Sequence, residues 1–564
     1  VVTKEKTEKP DGVPPLENTI LDNLGNRVRE IIALNGNELH VHLVSKDAIP
    51  EACDFVSHVL KAKLATIICA DERKLCGSFT LRYVFEKIGE DDLFIVLTAK
   101  VGDTEDDAKE ELGTSFPSLA FQIPSAALYE RDIKDMFGLF PAGNPDTRQL
   151  VLHEQWPLGI YPLRKDFVRD TKVARTDGKY PFTKVDGEGV FEIPVGPVHA
   201  GIIEPGHFRF SIQGEYIINL ETRLFYTHKG TEKLAESMKL DQVLLLSERI
   251  AGDEAVANST AYCQAIERIA KVKIPTRAIQ TRTICAEMER VYNHLGTLGG
   301  MATDVGYGFG AARLNILKER MMQLNEKVTG SRLLFGVNRI GGVGVELKED
   351  KLLLVARATS EMLQDFERVI SALRSTGSVM DRLQGTGIIT REVATDLGLV
   401  GIAARCDGVD VDTRRDHPYA AYGSLRPDVR YNTPLKRTEN EVMLQKRRGD
   451  ALSRFDLRAT EIRDSIGIMN ELMANLDGNG ELTVAIDGRL RPYQHALGYA
   501  ESHRGQTIHW VMIGEDCDSL FRYKVRTASF VNWPAIEQAV LKDIVADFPL
   551  VNKSLDLSYS GNDL

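Results

Sequence analysis

The sequence predicts an α+β chain, with a small N-terminal α/β domain followed by a larger helix-rich domain. Three observations carry this. Short apolar runs alternate with helical periods over residues 17–160, helical periods dominate from about Glu232 to Asn475, and strand-like alternation returns near the C-terminus. The expected boundaries are 1–16 for a disordered or extended tail, 17–160 for the small domain, 161–190 for a linker and 191–564 for the large domain.

Each element follows from local pattern. Glu17–Leu34 reads as a helix through Ile20, Leu21, Leu24, Val28, Ile31 and Ile32. His40–Val44 and Ala65–Ala70 are strand-like, and Pro50–Leu64 between them reads as a helix opened by proline and acidic residues. Thr80–Glu86 and Asp92–Lys100 form a strand pair joined by residues 87–91. Residues 140–190 are rich in Pro, Gly, Asp and Arg with little period, which predicts an extended segment packed on something else. Val190–Glu221 alternates like a meander or sheet edge. Ala257–Ala270, Ile284–Gly299, Gly310–Val328 and Lys348–Leu373 carry helical periods. Glu439–Leu476, with Gly449 and Gly467 as its breakers, predicts a helix or kinked pair roughly 50 Å long. Leu482–Asp487 and Ile508–Gly514 return to a strand pattern.

Composition narrows the function. A hydrophobic fraction of 43% over 564 residues builds cores and excludes disorder over most of the length. The formal charge of −11, with 70 basic against 81 acidic residues, argues against a nucleic-acid partner. No stretch approaches the ~20 apolar residues of a spanning helix. Val1–Pro10 is charged and lacks the apolar centre of a secretory signal. Seven scattered cysteines, none in CxxC spacing, suit a reducing compartment with idle thiols. Phosphate-loop, HExxH, zinc-finger and GxSxG motifs are absent from the sequence, and the Gly306, Gly308, Gly310 cluster has no preceding strand. That cluster reads as a turn or a close helix contact.

Two segments stand out. Gly196–Arg209 puts His199, Glu204, His207 and Arg209 on a Gly/Pro-rich loop between strands. Such a loop can hold titratable groups beside a buried site, or be a polar hairpin with incidental histidines. Arg414-Arg-Asp-His417 and Glu501-Ser-His-Arg504 can each set an arginine beside an anion, or be surface turns with ordinary ion pairs.

These residues carry a resemblance. Leu128–Phe140, with Tyr129-Glu-Arg-Asp132 and Asp135-Met-Phe-Gly138, is similar to the signature of the smaller of two neighbouring core subunits in the peripheral arm of respiratory complex I. Asn144-Pro-Asp146 and Tyr161–Phe167 continue it. From Gly196 onward the chain resembles the larger neighbour, the quinone-site subunit, which shares ancestry with the large subunit of nickel–iron hydrogenases. Phe225–Glu236 matches its helix-opening motif. With both parts in one chain and Glu204-Pro-Gly-His207-Phe-Arg209 present, the sequence looks most like the large subunit of formate hydrogenlyase and related energy-converting hydrogenases. The resemblance spans roughly residues 20–564 and rests on many motifs in order.

The departures decide what the resemblance implies. A nickel–iron site takes four thiolates from two CxxC pairs. The positions aligned with them hold Ala251, Glu254, Ser558 and Gly561, so no metal is expected on this chain. Cys263 and Cys517 lack the spacing to substitute. The tyrosine that binds quinone in complex I falls on Gly252, while its histidine partner has a counterpart in His207; Tyr262 lies too far along its helix to be assumed equivalent.

The resemblance therefore implies a non-hydrogenase member of the superfamily, on the cytoplasmic face of a prokaryotic plasma membrane, peripheral to it. It would receive electrons from a small iron–sulfur subunit and couple redox change to ion translocation through antiporter-like and anchor membrane subunits. It would bind no cofactor of its own, iron–sulfur clusters residing in the partner. Glu204 and His207 would transfer protons, Arg504 would stabilise an anionic group or reduced acceptor, and Asp253 and Glu254 would be acids in the former metal pocket. Alternatively the two acids turn outward or pair with Arg249 or Arg282. The rival readings are a quinone reductase subunit with quinone in the cavity, marked by an apolar tunnel, and a structural subunit, marked by a cavity filled with side chains.

Overall fold

The structure is a computed structural model that describes residues 16–87, 92–102, 114–201, 203–425, 449–478 and 480–564. Residues 1–15 of the proposed tail, the connection at 88–91 and the first ten residues of the Glu439–Leu476 helix lie outside the described residues, and Leu16, placed in the tail, opens the first helix. The architecture is α+β, as the sequence predicts.

The first helix, α1 (Leu16–Leu24), buries Ile20 and Leu24 and stops at Gly25, whose φ is +51°. The predicted continuation to Leu34 is instead a strand, β1 (Val28–Leu34). The β-branched Val28, Ile31 and Ile32 suit a pleated edge, and Asn35 and Gly36, both left-handed, turn the chain back onto β2 (Glu38–Leu43). Helix α2 (Ile49–Asp54) then leads to β3 (Lys63–Asp71), β4 (Phe79–Lys87) and β5 (Leu93–Val101). The sheet order is β1-β2-β5-β4-β3, with β2 and β5 parallel and the other pairs antiparallel.

β3, β4 and β5 are buried on both faces, which is why β3 and β5 read as largely apolar runs, while β4 buries Thr80, Arg82 and Glu86 among its apolar residues. One face packs on α2 and on α3 (Ala126–Phe137) through Ile67, Leu81, Tyr83, Ile95 and Leu97. The other face, with Ala65, Ile68, Val84, Phe94 and Val96, enters the core of the helical domain beside Val256, Ile284 and Trp510. At ~25 cal/mol per Å² of apolar area, burial of this second face fixes the two parts together far more firmly than a flexible linker would.

Residues 143–189 hold no helix or strand, in keeping with their turn-rich composition. Tyr180 anchors this segment, with the Arg148 and Arg223 guanidinium groups stacked on its ring at 5.1 and 4.7 Å. A three-stranded antiparallel meander follows: β6 (Val190–Val195), β7 (His207–Gln213) and β8 (Tyr216–Arg223).

The helical domain centres on α4 (Ala255–Ala270), α5 (Thr276–Asp304), α6 (Gly308–Thr329), α7 (Glu349–Ser375) and α8 (Ala451–Ala474). The glycine cluster is a turn into α6, and a Cβ on Gly310 would sit 3.2 Å from Leu373 of α7. Leu482–Asp487 is not a strand. It runs beside Gly341–Val343, with the Val484 N–H donating to Gly341 O and the Val343 N–H to Leu482 O, and a Cβ on either glycine would collide with its carbonyls. The chain closes with β9 (His495–Glu501), β10 (Gln506–Ile513), β11 (Leu520–Arg526), α9 (Phe548–Leu555) and the short α10 (Tyr559–Asp563). Among the described residues no helix is long and apolar enough to cross a membrane.

Candidate functional site

The C-terminal helix α10 is tied to the middle of the chain by hydrogen bonds. The Thr227 N–H and hydroxyl both donate to Asp563 Oδ2, at 2.9 and 2.7 Å, and the Lys229 and Thr231 N–H groups donate to Leu564 O. This brings Ser558 and Gly561 onto Ala251. A Cβ built on Gly561 would lie 3.5 Å from Ala251 Cβ and 3.0 Å from Ser558 Cβ. The Ser558 hydroxyl oxygen is already committed: it accepts the Gly561 N–H at 2.9 Å as the cap of α10. Ala251 and Gly561 carry no donor atom. Glu254, whose N–H bonds to Ala251 O at 2.9 Å, sends its carboxylate to Ser502 and Arg504 instead. This donor set does not fit a thiolate-bridged nickel–iron centre, which needs four soft ligands at one point.

Charged side chains fill the space beside these four positions. Arg504 stands at the turn between β9 and β10, where Ser502 and Gly505 exchange backbone hydrogen bonds. Its Nη2 donates to Asp253 Oδ2 at 2.7 Å, its Nη1 lies 3.4 Å from Glu254 Oε1, and its Nε donates to Asp556 O. The Ser502 hydroxyl donates to Glu254 Oε1 at 2.7 Å. Burial raises the Asp253 carboxyl, but Arg504 outweighs it and holds the group below the usual carboxylate range. Burial also raises Glu254, with Asp253 repelling its charge, and here Arg504 does not win. The two acids thus differ: one is held as a carboxylate, the other is biased towards the acid form. Neither reaches Arg249 or Arg282. Arg282 is clasped by Glu267 at 2.9 and 2.6 Å, and Arg249 stacks on Phe335 at 5.2 Å. Arg504 is accordingly engaged by internal carboxylates rather than left open for an incoming anion.

Glu204 and His207 come from the loop between β6 and β7 and meet α10 from the other side. The Ser560 N–H donates to Glu204 Oε2 at 3.0 Å, so the exposed glutamate does reach the C-terminal helix. His207 is buried against Phe182, its burial lowers its pKa, and its Nδ1 lies 3.3 Å from Gly196 O. A carbonyl only accepts, so Nδ1 carries the proton and the neutral ring presents Nε2 as an acceptor. His199 Nε2 binds Gly206 O at 2.9 Å, and Arg209 pairs with Glu192.

The second sequence segment is buried rather than superficial. Arg414 is clasped by Asp412 at 2.7 Å and faces Glu287 at 3.5 Å. Arg405 joins Asp412, Glu461 and Glu501, and Arg290 and His294 also reach Glu461.

Sequence reasoning missed a stripe of α5. Glu289 accepts the Val256 and Ala257 N–H groups at 2.7 and 3.1 Å, the Asn293 amide donates to Asp253 O at 2.7 Å, and Thr297 donates to Asp556 Oδ2 at 2.6 Å. Their i, i+4, i+8 spacing puts all three on one helix face, a period visible in the sequence but not distinguished from the helix's many other polar residues. Asp556 is left-handed at φ +57° and faces His503, whose burial pushes its imidazole down to about 3.

The Arg504 turn rests on backbone contact. Gly401, at φ +64°, has room for no side chain: a Cβ would be 2.1 Å from Arg504 O and 2.3 Å from Gly505 Cα. Gly401→Ala is expected to cost about 2–4 kcal/mol, from left-handed strain plus a forced shift of the turn. Chemical denaturation checks this, and an unchanged midpoint would mean that the turn yields freely.

Residues 42–173 match the family described as respiratory-chain NADH dehydrogenase, 30 Kd subunit, and residues 300–490 the 49 Kd subunit. The chain is 34% identical over 526 residues to formate hydrogenlyase subunit 5 of Escherichia coli, covering 92% of this chain and 88% of that protein. It is 34% identical to hydrogenase-4 component G of the same organism, covering 92% and 87%. The C/D component of the NADH-quinone oxidoreductase of Phocaeicola vulgatus is 31% identical over 64% of this chain and 70% of that protein. A chain of the membrane-bound sulfane sulfur reductase, an archaeal respiratory membrane complex, shares the fold with a TM-score of 0.59 at 24% identity, covering 67% of this chain and 99% of that chain.

Proposed function

The chain belongs to the family of fused 30-kDa/49-kDa complex I-type subunits that includes the formate hydrogenlyase and hydrogenase-4 components, and on that premise we propose that it serves a membrane-bound oxidoreductase without a nickel–iron centre. In this reading it is a peripheral subunit on the cytoplasmic face of a prokaryotic membrane. It takes electrons from a small iron–sulfur partner and passes the redox change to antiporter-like and anchor subunits in the membrane.

One observation carries the proposal. The four former thiolate positions bear Ala251, Glu254, Ser558 and Gly561, and their surroundings are rebuilt around Arg504 with Asp253 and Glu254. An arginine flanked by one ionised and one protonation-biased acid suits proton storage linked to a nearby electron. Glu204 supplies the solvent-facing part of the same site, and His207 stands behind it as a buried acceptor at Nε2.

The quinone alternative meets a polarity mismatch. A quinone carbonyl needs a donor, and neutral His207 offers an acceptor at Nε2 once Nδ1–H points to Gly196 O. The second donor is missing, since Gly252 stands where a phenol is required. The purely structural alternative is favoured by the Arg504, Asp253 and Glu254 side chains that fill this space, and is opposed by the unequal acids, one held as a carboxylate and one biased towards the acid form.

The test is nickel content per purified complex, with hydrogen uptake assayed on the same sample. Nickel well below one per complex and no hydrogen uptake are expected. Stoichiometric nickel with hydrogen turnover overturns the proposal, because it requires a ligand set other than these four positions.

A further inference from the structure

His207 is a sealed acceptor. Its ring is buried, and Nε2 is shut off from solvent with no hydrogen-bond partner among the described residues. A buried nitrogen left without a partner costs free energy that a water at that atom would return. An acceptor that takes protons must be reached by water, so the group lying on the ring has to move.

That group belongs to the extended segment ahead of the meander. β7 and β8 set Arg223 opposite His207 and Glu221 opposite Arg209, so these four side chains share one face of the sheet. Residues 176–183 cross that face. Tyr180 lies against Arg148 and Arg223, and the Phe182 ring is 5.2 Å from the His207 ring, with the Arg209 guanidinium 4.5 Å from its centre. The Tyr180 and Phe182 rings meet edge-on at 4.8 Å.

The segment is fastened at its two ends. The Thr183 N–H and hydroxyl donate to Glu221 at 2.7 and 3.2 Å, and Arg148 donates to Pro181 O at 3.3 Å. At the other end the Thr176 N–H donates to Gln155 O at 2.8 Å and its hydroxyl to Glu154 O at 3.0 Å. Gly178 passes so close that a Cβ on it would lie 2.0 Å from Glu154 O. Residues 176–183 form no helix or strand, and Lys172, Arg175, Asp177, Lys179, Lys184 and Asp186 along and beside them are exposed. Lifting them bares two aromatic rings and breaks a few hydrogen bonds at the rim, which puts this segment at the low-stability end of the fold.

We propose that residues 176–183 are a strap whose Phe182 closes over His207, and that lifting the strap admits the water from which Nε2 takes its proton. This rests on the reading of His207 as a proton acceptor, and adds the element that controls access to it. A hydronium at the opened ring passes one proton to Nε2 and leaves water. The ring becomes an imidazolium whose Nδ1–H stays on Gly196 O, and the reverse step returns it to neutral. Phe182 touches the acceptor without exchanging a proton, so it is a gating residue.

The experiment is carbethoxylation of the purified complex with diethyl pyrocarbonate, read by mass spectrometry at each histidine. The reagent attacks an unprotonated imidazole nitrogen and so reports how often Nε2 is open. The exposed His58 sets the rate of an open histidine, and His199, on the same loop as His207, reports on the loop itself. In the wild type His207 is expected to react at least about 10-fold more slowly than His58, and Phe182→Ala to speed it about 10-fold, the scale of removing a half-buried aromatic ring. Phe182→Tyr keeps the ring and should keep the wild-type rate. Gly178→Ala alters neither ring but forces the strap off Glu154 O, and should also speed His207. His207 reacting as fast as His58 in the wild type, or at an unchanged rate in both Phe182→Ala and Gly178→Ala, overturns the strap. So does an equal rise at His199, since the loop rather than the strap would then be opening. The readout is independent of nickel, so stoichiometric nickel would defeat the function proposed above and leave the strap standing.

Discussion

Arg504→Met is expected to destabilise the protein by about 3–5 kcal/mol near neutral pH, the range for removing one partner of a buried ion pair. The loss falls on Asp253, the carboxylate that Arg504 holds ionised, with water reaching its partly exposed side chain and offsetting part of it. Glu254, 2% exposed and biased towards the acid form, keeps the Ser502 hydroxyl as a donor. Asp556 O also loses the Nε donor. The pH dependence has a definite sign. Asp253 is held below its unfolded pKa, so its contribution is present above about pH 4 and disappears as pH falls through the folded value. The variant lacks that contribution. The gap between wild type and variant is therefore widest above about pH 4 and closes in acid, where both carboxyls protonate in either protein. Urea denaturation at pH 7 and pH 3.5 measures it. Adding Asp253→Asn and Glu254→Gln to Arg504→Met should recover most of the loss, because no charge is then left buried without a partner. An equal midpoint for wild type and the single variant at pH 7 would mean that water compensates these acids, and the pocket would not be closed as described.

Much of this arrangement is legible in the sequence because it is written in local pattern. The buried strands β3 and β5 declare themselves as apolar runs, and the long helices as 3.6-residue periods. The positions that the resemblance sets against thiolates, Ala251, Glu254, Ser558 and Gly561, can be read by register against the Ser247–Tyr262 segment and the C-terminal tail. What local pattern misses is decided by contacts distant in sequence. Val28–Leu34 has helical spacing, but pairing with β2 across the Asn35–Gly36 turn outweighs it. The partner of Asp253 and Glu254 sits some 250 residues away, 251 for the Asp253 pair, and no spacing rule joins them to Arg504 over Arg249 or Arg282. Arg414 reads as a surface turn because charged residues mostly are, yet Asp412 and Glu287 compensate its charge inside. The Glu289, Asn293, Thr297 stripe is visible as a period, and its meaning needs the loop that it holds.

Asp407→Asn is expected to raise stability at pH 8, and to flatten its dependence on pH between about 4 and 8. Asp407 follows the short helix Gly401–Cys406 and is 6% exposed, and neither carboxylate oxygen has a hydrogen-bond partner among the described residues. Burial pushes its pKa up to about 8, Arg454 draws it down, and Asp450 adds repulsion. For a carboxyl raised in the folded state the native form binds more protons than the unfolded chain across that window. Stability is thus fully present below about pH 4 and declines as pH rises towards 8. A carboxyl moved from 3.8 to about 8 corresponds to about 5 kcal/mol if nothing relaxes. Water entry and small shifts of Arg454 bring the expected gain of the asparagine variant at pH 8 to roughly 2 kcal/mol. At pH 4 the two proteins should be equal, since an aspartic acid and an asparagine are then both neutral and nearly the same shape. Asp464, also pushed up to about 8, retains its own share of the slope and should leave the variant curve gently tilted rather than level. Thermal unfolding from pH 4 to 8 resolves the difference. A slope identical in wild type and variant would mean that Asp407 is ionised in the native protein, and that a cation, rather than a proton, neutralises it there.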